Sequence, residues 1–363
     1  MTGPKPTLSP HERRTRRTAK ALRAALWCLL LLWVLWIVEN LVGEKNAWIT
    51  MLTYVPQFPF LVFPTVLLAL ALARREWKAA GLNGMGLAFW LIWGMGCVVP
   101  LRWPFGSHQT YAHIKVMSFN ILGGEWGVER IAQVVRRENP DVVCFQEART
   151  PGGGDLVPSL KAVLPGYQTA QAREVATFSK FSIEGQKAVM LPKTTGRAFL
   201  VTMLKVPGLG AGQFHRVRLV NVHFTALKIS ELRQNGASLY ARQINQGNAA
   251  REGQKLLMLN AARDTMGTPN GLLMVGDFNT PPRGRLYRSL LTQWQDAFRS
   301  AGSGLGHTFS SRLPLVRIDY IWTDPRFVVR RCTPLEPLGV SRAGTAGMAS
   351  DHRPLVAELD LLP

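Results

Sequence analysis

The sequence predicts an α/β domain over residues 112–363, set behind an apolar N-terminal third. Three observations carry this. Long apolar runs crowd residues 24–103. From about His113 onward, apolar runs of strand length alternate with segments of helical periodicity. Polar residues recur where those strand-like runs end. The stretch 272–282, LLMVGDFNTPP, is the clearest case: a buried strand running into Gly276 and stopped by Pro281-Pro282, with Asp277 and Asn279 two apart on one expected face. A carboxylate beside an amide is suited to holding a water and a phosphoryl oxygen.

At the N-terminus, residues 1–23 hold Arg13, Arg14, Arg16, Arg17, Lys20 and Arg23 with three prolines, the composition of a disordered basic cytoplasmic tail. Residues 24–103 read as a three-span anchor. Ala24–Val38 is an uninterrupted apolar run that extends to Gly43, and a span takes about 20 mostly apolar residues. No small-x-small site follows it, which argues against a cleaved signal peptide. A second span is expected over Ala47–Ala73, kinked or re-entrant through Pro56, Pro59 and Pro64, and a third from about Ala80 to Leu101. Lys45 alone marks the first loop, whereas Arg74, Arg75 and Lys78 mark the second. The positive charges therefore place the N-terminus in the cytoplasm and, with three spans, the domain outside it, in a multi-pass protein of the cell membrane.

The chain carries 43 Lys/Arg against 23 Asp/Glu, a net +20, of which residues 1–111 supply +8 and the remainder +12. Both parts favour anionic partners: the bilayer's acidic headgroups, nucleic acid or phosphorylated small molecules. The four cysteines form neither a metal spacing nor a disulfide framework. Pro151-Gly-Gly-Gly154 lacks the Lys-Ser/Thr of a phosphate-cradling loop and reads as a turn.

Within the domain, strands are expected at Ile114–Phe119, Asp141–Gln146, Glu174–Phe181, Ala198–Val206, Arg216–Phe224, Val316–Trp322 and Leu355–Leu361. Helices are expected at Val128–Arg137, at Leu286–Leu291, and over 230–266 with a break at Gly236, Gly247 or Gly253. Asn120, Glu147, His223, Asp277, Asn279, Asp319, Asp351 and His352 lie at or near strand ends. Any one of them reads most simply as a cap or a satisfied core group. Eight in one kind of place read as a site.

The strings VMSFNIL, DVVCFQEA, VNVHF, VGDFN, RIDYI and SDHRP, in that order over residues 112–363, resemble the endonuclease/exonuclease/phosphatase superfamily with its deoxyribonuclease-I-like fold. The resemblance implies two packed mixed β-sheets flanked by helices, a four-layer α/β sandwich, here preceded by three transmembrane helices. It also implies a divalent-metal-dependent phosphoester hydrolase, a phosphodiesterase with nuclease-like chemistry using Mg²⁺ or Mn²⁺, which hard oxygen donors suit better than zinc. Glu147 would lead the metal ligands, with Asp351 and Asn120 beside it. Asp277 would orient or deprotonate the water, helped by Asn279. His352 would meet the phosphate with Asp319 fixing its tautomer, and His223 would be a second histidine paired with Glu174. RIDYI departs from the Trp-Cys-Asp-Arg version of the inositol phosphatases. The alternatives are a sphingomyelinase-like lipid-headgroup phosphodiesterase or a non-catalytic tethered protein that binds anionic ligands.

Overall fold

The computed structural model describes residues 9–100, 109–191, 197–227, 237–263, 266–336 and 349–363. The first helix, α1 (Pro10–Leu41), starts earlier than composition suggests. Ser9 and Glu12 form a reciprocal capping box and Pro10 occupies the first turn, so the basic stretch from residue 10 is helical and continuous with the apolar run. Of the expected tail, only residues 1–8 lie outside the described residues.

The three expected spans become one. Among the described residues α1 alone is long and apolar enough to cross a membrane, with a mean hydropathy of 2.2 over its best window. The second segment divides into α2 (Ala47–Tyr54) and α3 (Pro59–Ala73), bent by 65°, and counts as a span only if the two halves are taken together. Pro56 and Pro59 fall at the break, where missing N–H donors interrupt the helical ladder. The third gives α4 (Trp77–Phe89), which passes into a π-helical turn, Trp90–Gly94, closed by the Met95 N–H on the Trp90 carbonyl.

Two six-stranded mixed sheets follow. The first comprises β1 (Ala112–Asn120), β2 (Val142–Gln146), β3 (Gln168–Ala172), β4 (Val175–Ser179), β11 (Phe327–Pro334) and β12 (Leu355–Leu361), ordered β11-β12-β1-β2-β4-β3. The second comprises β5 (Ser182–Met190), β6 (Ala198–Pro207), β7 (Phe214–His223), β8 (Gly271–Asp277), β9 (Gln295–Asp296) and β10 (Asp319–Thr323), ordered β5-β6-β7-β8-β10-β9. β1/β2 and β7/β8 pair in parallel. Each such pair needs a crossover, supplied by α5 (Val128–Glu138) and α7 (Ala237–Ala262).

Strand alternation builds the layers. Ile114, Val116, Val142 and Cys144 face Leu204, Leu219, Leu273, Val275 and Ile321 in a core between the sheets. The alternate residues Met117, Phe119, Val143 and Phe145 face outward onto α5 and α6 (Val157–Val163). On the other sheet Val220, Val222, Met274 and Trp322 pack under α7 and α8 (Gly284–Leu291). α7 runs unbroken through Gly247 and Gly253, because burial of Ile244, Asn248, Arg251 and Met258 along one side outweighs the glycines' weak propensity; Gly236 lies outside the described residues. The strand expected at Val316 starts only at Asp319, since Val316 bridges to Phe309 instead.

The helical N-terminus is fastened to this body by polar contacts. Arg283, buried, donates to the carbonyls of Gly94 (3.0 Å) and Thr53, with Glu39 3.9 Å away. Asn248 Nδ2 donates to the Glu44 carbonyl and Thr50 Oγ1, both at 2.8 Å. Glu44 accepts from the Arg285 N–H at 2.8 Å.

Candidate active site

The alternation that fills the inter-sheet core also places the site. Asn120 continues the inward face of Ile114 and Val116, His223 that of Val217 and Leu219, and Asp277 that of Leu273 and Val275. In the second sheet Asp277 stands in register between His223 on β7 and Asp319 on β10. Where apolar side chains run out, the last inward residue of each strand meets the others at one edge of the sandwich.

Gly276 makes this approach possible. Its φ is +147°, and a Cβ there would lie 1.9 Å from the Val222 carbonyl oxygen. After Asp277 the strand ends, so the two-residue spacing does not by itself aim Asn279. A left-handed φ of +46° turns it back instead. Its N–H then donates to Asp277 Oδ1 (2.8 Å) and its amide to Asp277 Oδ2 (3.1 Å) and the Phe224 carbonyl (3.0 Å).

Asp277 is the hub. Asn120 Nδ2 donates to its Oδ2 at 3.2 Å and to Glu147 Oε1 at 3.1 Å. His223 Nε2 lies 3.6 Å from both of those carboxylate oxygens, while His352 Nε2 is 3.8 Å from Asp277. On its other side His352 Nδ1 meets Asp319 Oδ2 at 2.9 Å, and Asp319's own N–H donates to Thr308 Oγ1. Burial, then the neighbouring Asp319 charge, pushes the Asp277 pKa up to about 7. Burial opposes charge on His352, yet Asp319, Asp277 and Asp351 outweigh it and raise its pKa to about 10. His223 is the opposite case: burial, then the charges of Arg197 and His352, hold it well below its ordinary value. Its Nδ1 faces Glu174 Oε1 at 3.8 Å, and burial raises Glu174 to about 7. Burial and neighbouring charge thus push the two imidazoles apart, His352 toward the cation and His223 toward the neutral form.

Asp277, Asp319 and His352 could together enclose an ion by distance alone. His352 Nδ1 and Asp319 Oδ2 are already engaged with each other, so this trio reads better as a hydrogen-bonded dyad aimed at Asp277. Glu147 and Asp351 fit a hard cation better. Both line the cleft, Glu147's side chain is 33% exposed, and Glu147 is turned into place by a left-handed φ of +54°. Burial, partly offset by His352, raises the Asp351 pKa.

All nine residues anticipated from sequence are described, and they are brought together here. Four others were not anticipated. Tyr54, from α2, donates its hydroxyl to the Asn279 carbonyl. The Phe309 ring lies 5.0 Å from the His352 ring, tilted by 53°. Arg197 donates to the Phe224 carbonyl at 2.7 Å and lies 3.9 Å from Glu174. Asn221 joins Gln146 Nε2 to the Phe145 and Ala176 carbonyls across the sheets. Of these only Asn221 had a readable signal, two residues before His223 on the same strand face.

The model of the endonuclease/exonuclease/phosphatase family matches residues 117–352, which run from β1 to His352 and contain every one of these strand ends. The chain belongs to that family. Its fold is the family's phosphoesterase fold. A family structure from Bacteroides thetaiotaomicron aligns with a TM-score of 0.52 at 18% identity, over 70% of this chain and 99% of its own. Another from Bacteroides vulgatus aligns at 0.51 and 20%, over 69% and 99%. Comparison with curated proteins found no match.

Proposed function

We propose that the protein is a membrane-anchored, divalent-metal-dependent phosphodiesterase that cleaves its substrate by in-line attack of water. The observation that carries this is the convergence of Asn120, His223, Asp277 and the Asp319–His352 pair on one point. Asp277 accepts the water's proton, while Asn279 and Asn120 hold Asp277 in orientation. His352, kept cationic by Asp319, donates hydrogen bonds to the phosphoryl oxygens and protonates the leaving oxygen. Neutral His223, with a protonated Glu174 facing its Nδ1 and its own proton on Nε2, is a second donor at the phosphate. A Mg²⁺ or Mn²⁺ ion held by Glu147, Asp351 and the Asn120 amide oxygen would supply Lewis-acid charge stabilisation.

The anchor is α1. Of the 28 large hydrophobics exposed among the described residues, 22 lie between residues 26 and 99, a concentration that water does not favour and lipid does. With the basic first turns cytoplasmic, one span places the domain on the opposite face.

A second substrate reading, a lipid-headgroup phosphodiester instead of nucleic acid, is favoured by the cleft itself. Its walls, enclosing ≈ 530 Å³, include Tyr54, Leu227, Phe309, Leu313 and Ile318, and no Lys or Arg among the described residues. A nucleic-acid groove needs cations along the backbone. Phosphorus NMR on the full chain with Mg²⁺, offered plasmid DNA and mixed phospholipid vesicles with an EDTA control, tests both. New phosphomonoester signals lost in EDTA support the activity, and their source names the substrate. Silence with both substrates, while a small diester such as bis(4-nitrophenyl) phosphate also survives, overturns it.

A further inference from the structure

A second cavity lies away from the catalytic cleft, where the N-terminal helices meet α8 and α9 (Ala297–Ala301). It encloses ≈ 370 Å³ and is lined by Trp36, Ile92, Trp93 and Leu291 on its apolar side and by Arg288 and Arg299 on its charged side. Neither guanidinium has an ion-pair or hydrogen-bond partner among the described residues, and no Asp or Glu among them lines the cavity. Arg317 also reaches it, but is already bound to Asp296 at 2.7 Å. Arg288 lies 4.9 Å over the Trp36 ring. Burial and the charge of Arg299 both lower the Arg288 pKa, and no carboxylate among the described lining residues offsets the two guanidiniums.

The place matters as much as the charge. Trp36 stands near the end of the apolar run of α1, and Trp36 Nε1 donates to the Trp93 backbone carbonyl at 3.1 Å, tying its indole to the π-helical turn. Trp93 and Ile92 belong to the π-helical turn and are exposed. Tryptophans at the end of a span sit at headgroup level, where phosphates lie.

We propose that this cavity binds the phosphate of an anionic membrane phospholipid between Arg288 and Arg299, with the acyl chains running along Trp36, Ile92 and Trp93. The lipid is a structural ligand that seats the domain against the bilayer; the site is separate from the catalytic cleft. The inference rests on the membrane-anchor reading. Resistance of the chain to alkaline carbonate extraction checks that reading by itself.

The test is native mass spectrometry of the full chain in neutral detergent and EDTA, titrated with dioleoyl phosphatidylglycerol, dioleoyl phosphatidylcholine or inorganic phosphate. The expected result is one phosphatidylglycerol per chain, bound about tenfold more tightly than phosphatidylcholine. The preference should vanish in Arg288→Gln/Arg299→Gln and survive in Arg288→Lys/Arg299→Lys. Should the double variant misfold, Arg299→Gln alone, on an exposed side chain, should weaken the preference. Equal affinity for both lipids, an unchanged preference in the folded Gln variants, or an equal response to inorganic phosphate overturns the site. A chain that carbonate strips from membranes overturns the anchor and the site with it.

Discussion

Asp277 and His352 sit within 3.8 Å of each other, and burial and neighbouring charge decide what each carries. Replacing Asp277 by Asn keeps the side chain's shape and one accepting oxygen, turns an amide NH₂ onto the donors at the other, and removes the proton acceptor, so kcat should fall about 10³-fold with the fold intact. His352→Ala should do the same, and steady-state kinetics beside circular dichroism checks both; wild-type rates in either folded variant would refute the roles. The same pair sets a pH dependence of stability in EDTA. Asp277 rises from 3.8 to about 7 on folding, so its stabilising proton is lost as pH climbs through that window. His352 rises from 6.5 to about 10, so its contribution is complete below pH 6.5 and lost as pH rises through 10. These two signs agree, while His223, depressed on folding, adds stability as pH climbs toward 6.5 and opposes Asp277 there. The metal-free protein should therefore lose stability chiefly from about pH 6.5 to 10, and Asp277→Asn should remove the Asp277 share in urea melts.

At the scale of elements, the site depends on how closely β7 and β8 approach. Gly276 has its hydrogen-only surface against the Val222 carbonyl, and a methyl group there would overlap the backbone, at 1.9 Å. Gly276→Ala should therefore cost about 3 kcal/mol and displace Asp277 from His223, lowering activity more than stability alone explains; chemical denaturation and kinetics on the same sample measure the two effects. Neighbouring β10 shows how one short motif divides its labour. In RIDYI, Asp319 turns inward to His352, while Arg317, fully buried, binds Asp296 and stacks 4.6 Å from Tyr320. The motif is legible in sequence as a unit. Its two charges serve different layers, which only the pairing of β9 and β10 separates.

Across the whole molecule, the helical N-terminus is part of the catalytic body and not a loose tether. Tyr54 bonds to the carbonyl of Asn279, and Arg283 joins Glu39, Thr53 and Gly94 to the turn beyond Asp277. Removing the Arg283 guanidinium should free α2, so Arg283→Ala should speed amide exchange over residues 47–54 and raise KM by weakening the cleft wall that Tyr54 forms. Unchanged exchange in that helix would show that the remaining contacts suffice.

Sequence by itself marked the main strands and the polar residues at their ends; the layers and the roles of those residues were what the resemblance to the family implied. A polar residue that ends an apolar strand sits at the rim of the core, so Asn120, His223 and Asp277 stood out by recurring at strand ends, though each alone reads as a cap or a core group. The helical N-terminus was less legible, because hydropathy counts apolar residues and does not see where prolines and a π-turn break the ladder, so of three expected spans α1 alone is a single helix long and apolar enough to cross among the described residues. Tertiary structure alone decided the rest. The turn at Asn279, the neutrality of His223 against the charge of His352, and the entry of Tyr54 into the cleft all depend on burial and on contacts between residues far apart in the chain. Periodicity carries information about faces. Desolvation and long-range pairing exist only once those faces have met.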